Sequence, residues 1–234
     1  MVQSVKVFAL ESPLNPGDLV KKLKGFSSLK KQDAFGRSVE IGSRVVDLNL
    51  ADGKLTGTFE ENFILSFKYM DELIKAPITV RTLFEFLSFE GTTYLLIAAR
   101  KSRANRIANQ LSSAISEERG FVQEVWITSE ALKEFYESRM GTVRVLFFTD
   151  VRIPNVSRLS LYGRELVGTD LYQEYVRLGK VWYAVFEPDE GIVMGLTRNC
   201  VVTFFSKLSA EEALDFVETR VIPMIGMRRE RYLN

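Results

Sequence analysis

A chain of 234 residues that is 46% hydrophobic can bury one large core or two modest ones, but 31 basic against 30 acidic side chains give it no overall charge to attract a polyanion. It contains no histidine and a single cysteine, Cys200, which excludes histidine-dependent nucleophiles, histidine-ligated zinc, cysteine-only zinc sites within the chain and any intramolecular disulfide. The longest apolar run, residues 94–99, is too short to span a bilayer, and the N-terminus lacks the apolar stretch of a signal peptide, so a soluble, cytoplasmic protein without membrane association is expected.

Residues 5–10 read as a strand, after which Asn15-Pro16-Gly17-Asp18 announces a helix with asparagine as cap and proline at its first position. Leu19, Val20, Leu23 and Phe26 supply its apolar side. Lys21, Lys22 and Lys24, then Lys30 and Lys31, read either as a solvated face or as phosphate contacts. Strands are expected at 39–41 and 45–50, a turn at Asp52-Gly53, and a strand at 54–59 that Glu60-Glu61-Asn62 interrupts before 63–69. A short loop or helical turn at 71–75 precedes a strand opened by Pro77, and Glu90-Gly91 turns it back into 94–99.

The helical period is clearest over 101–116, where Ala104, Ile107, Ala108, Leu111 and Ile115 form one stripe. Arg100, Lys101, Arg103 and Arg106 crowd its start. Positive charge there opposes the helix dipole, so the cluster implies either compensating carboxylates or a bound anion.

Glu117 to Gly120 marks a boundary, giving a first half at 1–119, a second at 120–226 and a basic tail at 227–234. The second half reads as a strand at 121–127, a helix at 129–139, strands at 143–148 and 156–162, and a helix at 170–178. Trp126 and Trp182 are expected to anchor the two cores at equivalent depths. Next come three strands, 181–186, 192–196 and 200–205, the first two joined through Pro188-Asp189-Glu190-Gly191. Ser209 with Glu212 three residues on is a capping-box signature, with Ala213, Leu214, Val217 and Val221 at helical spacing behind it, and Pro223 and Gly226 are expected to stop that helix.

Val2-Gln3-Ser4-Val5 and Val122-Gln123-Glu124-Val125 open strands that each lead into an amphipathic helix, then several strands and a longer helix, a period of about 120 residues. This implies an α+β chain of two pseudo-repeated halves, each an antiparallel sheet packed on helices. The Glu187-Pro188 turn, the apolar strand after it and the Thr203 strand before the Ser209-capped helix resemble the repeat of the TATA-box-binding-protein family, and Thr92 to Ile97 resembles the matching strand of the first half. The resemblance implies a saddle-like fold and nucleic-acid binding. It also departs from that family, because Gly195 and Ile97 stand where the family places the phenylalanine that wedges between bases.

Pro188-Asp189 has no acidic-x-lysine partner, and Asp52-Gly53-Lys54 with Asp47 reads as a turn more readily than as a metal site. No glycine-rich phosphate loop occurs. The leading expectation is therefore a non-enzymatic binder of DNA or RNA, without cofactor or metal, contacting phosphates through Arg81, Arg100, Lys101, Arg103, Arg106, Arg198, Arg228 and Arg229. The alternative is a module that docks a protein partner, or a second copy of itself, through a sheet face or edge. Phe204 and Phe205 occupy both faces of one strand, so one of them must face away from the core.

Overall fold

The computed structural model describes residues 3–34, 36–116, 120–138 and 142–229, the side chains of Arg37 and of residues 226–229 apart. The chain is α+β with antiparallel sheets, and its contacts divide it into two compact units. One, here the N-terminal unit, comprises Leu10–Ile97 and Asn105–Val122; the other, the C-terminal unit, comprises Met1–Ala9, Ala98–Ala104 and Gln123–Asn234.

In the N-terminal unit, helix α1 (Pro16–Leu23) is followed by β2 (Lys30–Ala34), β3 (Arg37–Ala51), β4 (Lys54–Tyr69), β5 (Glu72–Phe89) and β6 (Thr92–Ile97), which pair in that order. Asn15 holds the N-cap position of α1, but its side chain makes no capping bond; its carbonyl accepts from Asp18 and Leu19 instead. The turns are where the sequence places them: Asp52 and Gly53 have φ of 51° and 73°, Glu90 and Gly91 46° and 73°. Helix α2 (Lys101–Ile115) begins directly after β6, and all five residues of its apolar stripe are buried. Lys22 donates to the Ile115 carbonyl at 2.7 Å and Lys21 pairs with Asp18, which gives two of the α1 lysines structural partners.

Strand β4 contradicts the expected break at Glu60-Glu61-Asn62. It runs unbroken, because both carboxylates are paired inside the fold: Arg44 and Arg81 flank Glu60, and Arg106 holds Glu61. Nor is 71–75 a loop. Only Met70 and Asp71 turn the chain, and β5 starts at Glu72 with Pro77 inside it. Proline is tolerated there because β6 reaches only Phe84–Phe89, leaving β5 with one partner strand at Pro77.

In the C-terminal unit, β1 (Gln3–Leu10) pairs with the short β7 (Val122–Glu124) and with β12 (Val201–Phe204). From β12 the sheet continues through β11 (Ile192–Thr197), β10 (Lys180–Asp189) and β8 (Val145–Ile153) to β9 (Val156–Tyr162). Helix α3 (Ser129–Glu137), capped by Thr128, packs Phe135 on Phe186 of β10; helix α4 (Asp170–Leu178) packs Tyr175 on Phe148 of β8. Beyond β7 the chain alternates Val125 in, Trp126 out and Ile127 in. Trp126 is therefore 67% exposed while Trp182 is half-buried, and the two tryptophans do not anchor matching cores.

The capping box forms as read: Ser209 Oγ accepts from Glu212 N–H at 3.1 Å and Glu212 Oε2 from Ser209 N–H at 2.7 Å. Helix α5 (Ala210–Phe216) does not stop at Pro223. A π-helical turn, Val217–Val221, carries it into α6 (Ile222–Arg229), with Ile222 N–H bonded to the Val217 carbonyl. The wider turn accommodates a proline whose ring would clash with the carbonyl four residues back.

Candidate functional site

The basic residues expected to bind phosphate belong to both units: Arg81 and Arg106 to the N-terminal one, Arg100, Lys101, Arg103, Arg198, Arg228 and Arg229 to the C-terminal one. Glu60 and Glu61 are neighbours on a strand, so they point to opposite faces, and they take their arginines with them. Arg81 Nε reaches Glu60 Oε2 at 3.0 Å on one face; Arg106, from α2, reaches Glu61 Oε1 at 2.8 Å on the other. Burial alone would raise the Glu60 pKa, but the hydrogen bonds and charges of Arg44 and Arg81 hold it below the ordinary carboxylate value. Arg198 donates its Nε–H to the Ile127 carbonyl at 3.1 Å, which fixes the loop after β7. Arg100 and Lys101 are exposed and Arg103 is half-buried; the side chains of Arg228 and Arg229 lie outside the described ones.

Within the C-terminal unit, aromatic side chains converge. Along β8, Leu146 and Phe148 are buried under the helices, which leaves Phe147 on the helix-free face. By register Phe147 opposes Ser160 of β9 and Tyr183 of β10, and Val145 opposes Tyr162. A bulge in β10 pairs Val181 with Phe148 and Tyr183 with Phe147, so Trp182 is an extra residue between them. The bulge brings two consecutive aromatic side chains onto one ring: Phe147 lies 5.3 Å from Tyr183, 5.7 Å from Trp182 and 5.9 Å from Tyr162. Burial pushes the Tyr183 phenol above its ordinary pKa, and Tyr162 adds a smaller push in the same direction.

Gly195 belongs to this surface. A Cβ built on it would come within 2.8 Å of the Tyr183 ring, so the glycine is what lets Tyr183 lie across β11. One row further along the strands, Arg158, Thr149 and Lys180 are opposed across β9, β8 and β10, with both cations exposed. Lys180 also lines a cleft of about 580 Å³ with Lys133, Arg152 and Arg177, against the two acids Glu130 and Asp150. Cation and aromatic ring are thus adjacent on one unit.

The doublets Phe147-Phe148 and Trp182-Tyr183 carry the sequence signal for this site, since one member of each had to face away from the helices. The argument applied to Phe204-Phe205 holds there too: Phe204 is buried and Phe205 is half-exposed. The bulge that gathers the rings leaves no mark in the residue pattern. Asp52 and Gly53 form the β3–β4 turn and Asp47, at φ 53°, sits where the β3 register shifts. Among the described residues, no group of three or more cysteine, aspartate or glutamate side chains is placed to hold a metal ion, and no helix is long and apolar enough to cross a membrane.

No protein-family model and no curated protein matches this sequence.

Proposed function

We propose that this protein is a non-enzymatic binder of single-stranded nucleic acid, and that the open sheet face of the C-terminal unit is its binding surface. The observation that carries the reading is the four-ring cluster of Phe147, Tyr162, Trp182 and Tyr183 with Arg158 and Lys180 in the next row. Bases stack on exposed rings irrespective of sequence, and neighbouring cations track the phosphates. Gly195 argues for single strands over duplex: a protein that kinks a minor groove needs an apolar wedge, and here Tyr183 covers the position instead. The saddle-like, twice-repeated architecture of the TATA-box-binding-protein family belongs to the same proposal. It is supported by the order strand, helix, five strands, helix in the first half (β1, α1, β2–β6, α2) and by the same order in the second half (β7, α3, β8–β12, α5) with helix α4 inserted between β9 and β10.

The test is binding of fluorescent single-stranded and duplex DNA and RNA across a salt series. Micromolar or tighter binding to single strands that weakens with salt is expected, with Phe147→Ala or Trp182→Ala lowering affinity roughly 5- to 150-fold, the range that loss of a stacked base spans. Absence of binding at low salt, or equal binding by both variants, sinks the proposal.

A further inference from the structure

The cleft beside Lys180 lies within the C-terminal unit, where the first turn of α3, the end of β8 and the junction from α4 to β10 meet. At about 580 Å³ it has the size of a small-molecule site. Four cations line it, Lys133, Arg152, Arg177 and Lys180, against the acids Glu130 and Asp150, so the surplus is positive. Among the described residues Arg177 and Lys180 form no ion pair. Arg152 donates to the Arg177 carbonyl, a neutral acceptor that leaves its charge uncompensated. Lys133 lies 3.7 Å from Glu137, which offsets part of its charge.

The walls are held from behind. Glu137 accepts from the Tyr172 hydroxyl, which is bonded to the Tyr136 hydroxyl at 3.0 Å, and both tyrosines are wholly buried. That chain ties α3 to α4 and, with the Arg152 bond from β8 to α4, sets the cleft in place before a ligand arrives. Ser129, the first residue of α3, lines the cleft and is 8% exposed, and its hydroxyl has no hydrogen-bond partner among the described residues. The N–H groups of Ser129 and Glu130 also lack acceptors there, since Thr128 accepts from Ala131 and Leu132. A buried donor with nothing to donate to, at the positive end of a helix and amid surplus cations, is an arrangement that an anion completes.

Lys180 connects this cleft to the ring cluster. It belongs to the row Arg158, Thr149, Lys180, which lies two residues, or about 7 Å, along β8 from Phe147. We infer that the cleft binds a phosphate monoester, the terminal phosphate of a single strand whose end base stacks on the rings. The inference rests on the single-strand reading and gives that strand an anchored end. A monoester carries about −1.5 to −2 charge at neutral pH, whereas a diester within the strand carries a single charge, so a cleft with surplus positive charge favours the end over the interior. Lys180 and Arg158 then track the phosphodiesters that follow.

Fluorescence anisotropy with the full chain compares labelled single strands carrying a phosphate or a hydroxyl at the 5′ end, and a matching pair at the 3′ end. One phosphorylated end should bind roughly tenfold or more tighter than its hydroxyl counterpart, the effect of a charge-assisted hydrogen bond. Lys133→Ala with Arg177→Ala should bring that ratio to about one, while Trp182→Ala should weaken both strands of a pair alike. The ratio is the readout, because a general loss of positive charge lowers both affinities and leaves it in place. Circular dichroism shows that the variants remain folded. Strands that bind equally well with and without phosphate at both ends overturn the inference and leave the single-strand reading standing; a ratio that survives the double variant places the phosphate elsewhere and overturns it too. Failure of every strand to bind at low salt removes the single-strand reading and the inference with it. A free nucleoside monophosphate that binds as tightly as the phosphorylated strand shows that the cleft serves unpolymerised nucleotide, which also overturns the inference.

Discussion

The Lys6 ammonium lies 3.2 Å from the Glu124 carboxylate, joining β1 to β7 with the lysine side chain wholly buried and the glutamate side chain 29% exposed. Lys6 also donates to the Asn199 carbonyl at 3.0 Å and lies over the Phe8 ring. Burial holds its pKa below the ordinary lysine value, and Glu124 recovers part of that loss. The pair is asymmetric, because only one partner can turn to water. Glu124→Gln strands a buried charge and should cost about 2–3 kcal/mol, a buried-pair penalty discounted for the exposure of Glu124. Lys6→Met replaces the ammonium with apolar volume and should cost less. Urea unfolding midpoints of the two variants check the order.

Glu60 makes a second prediction on β4. Its carboxylate is shared by Arg44 and Arg81, so Glu60→Gln removes the charge that both guanidiniums use and should destabilise the chain by about 1.5–3 kcal/mol. Because the folded-state pKa lies below 4.5, the Glu60 contribution is complete above that pH and fades as pH falls through the folded value. Acid titration of the melting temperature should therefore show a shallower fall for Glu60→Gln than for the unaltered chain.

The same stretch shows why some of the fold was legible and some was not. Local chemistry was readable: the Ser209–Glu212 capping box, the α2 stripe, the Asp52-Gly53 turn and the limits of α4 all depend on residues within a turn or two of one another. Glu60-Glu61-Asn62 misled because carboxylates depress strand propensity unless paired, and their partners lie 16, 21 and 45 residues away at Arg44, Arg81 and Arg106. The aromatic site was hidden for a related reason. Its rings come from three strands and meet through a bulge in β10, a feature of pairing that no local pattern carries.

Cys200 supplies an alkaline prediction. It is fully buried between β11 and β12, and burial pushes its thiol from 9.0 up to about 12, with Lys6 opposing slightly. The folded-state value is raised, so the stability it contributes is complete below pH 9 and is lost as pH rises towards 12, where the unfolded chain has already released the proton. Lys6 acts in the opposite direction, since its lowered pKa makes the unfolded chain the better proton binder below 10.5. Comparing unfolding free energies of the native chain and Cys200→Ala between pH 8 and pH 11 isolates the thiol. The variant should lose less stability over that range, and identical slopes would show that the thiol does not contribute.

Gly195 and Tyr183 link packing to the proposed binding face. A methyl group at position 195 has nowhere to go except into the Tyr183 ring, which contacts the ideal Cβ at 2.8 Å along one edge. Since β11 is held by β10 on one side and β12 on the other, the backbone cannot yield and the ring must. Gly195→Ala should therefore cost roughly 1–3 kcal/mol, the usual range for overpacking, and swing Tyr183 away from Phe147. Near-ultraviolet circular dichroism reports the ring and a thermal melt reports the cost. Tyr183→Ala on the Gly195→Ala background removes the clash, so that double variant should recover most of the stability without recovering the aromatic signal. If it stays as unstable as Gly195→Ala alone, the glycine is required by the strand itself and not by the ring that crosses it.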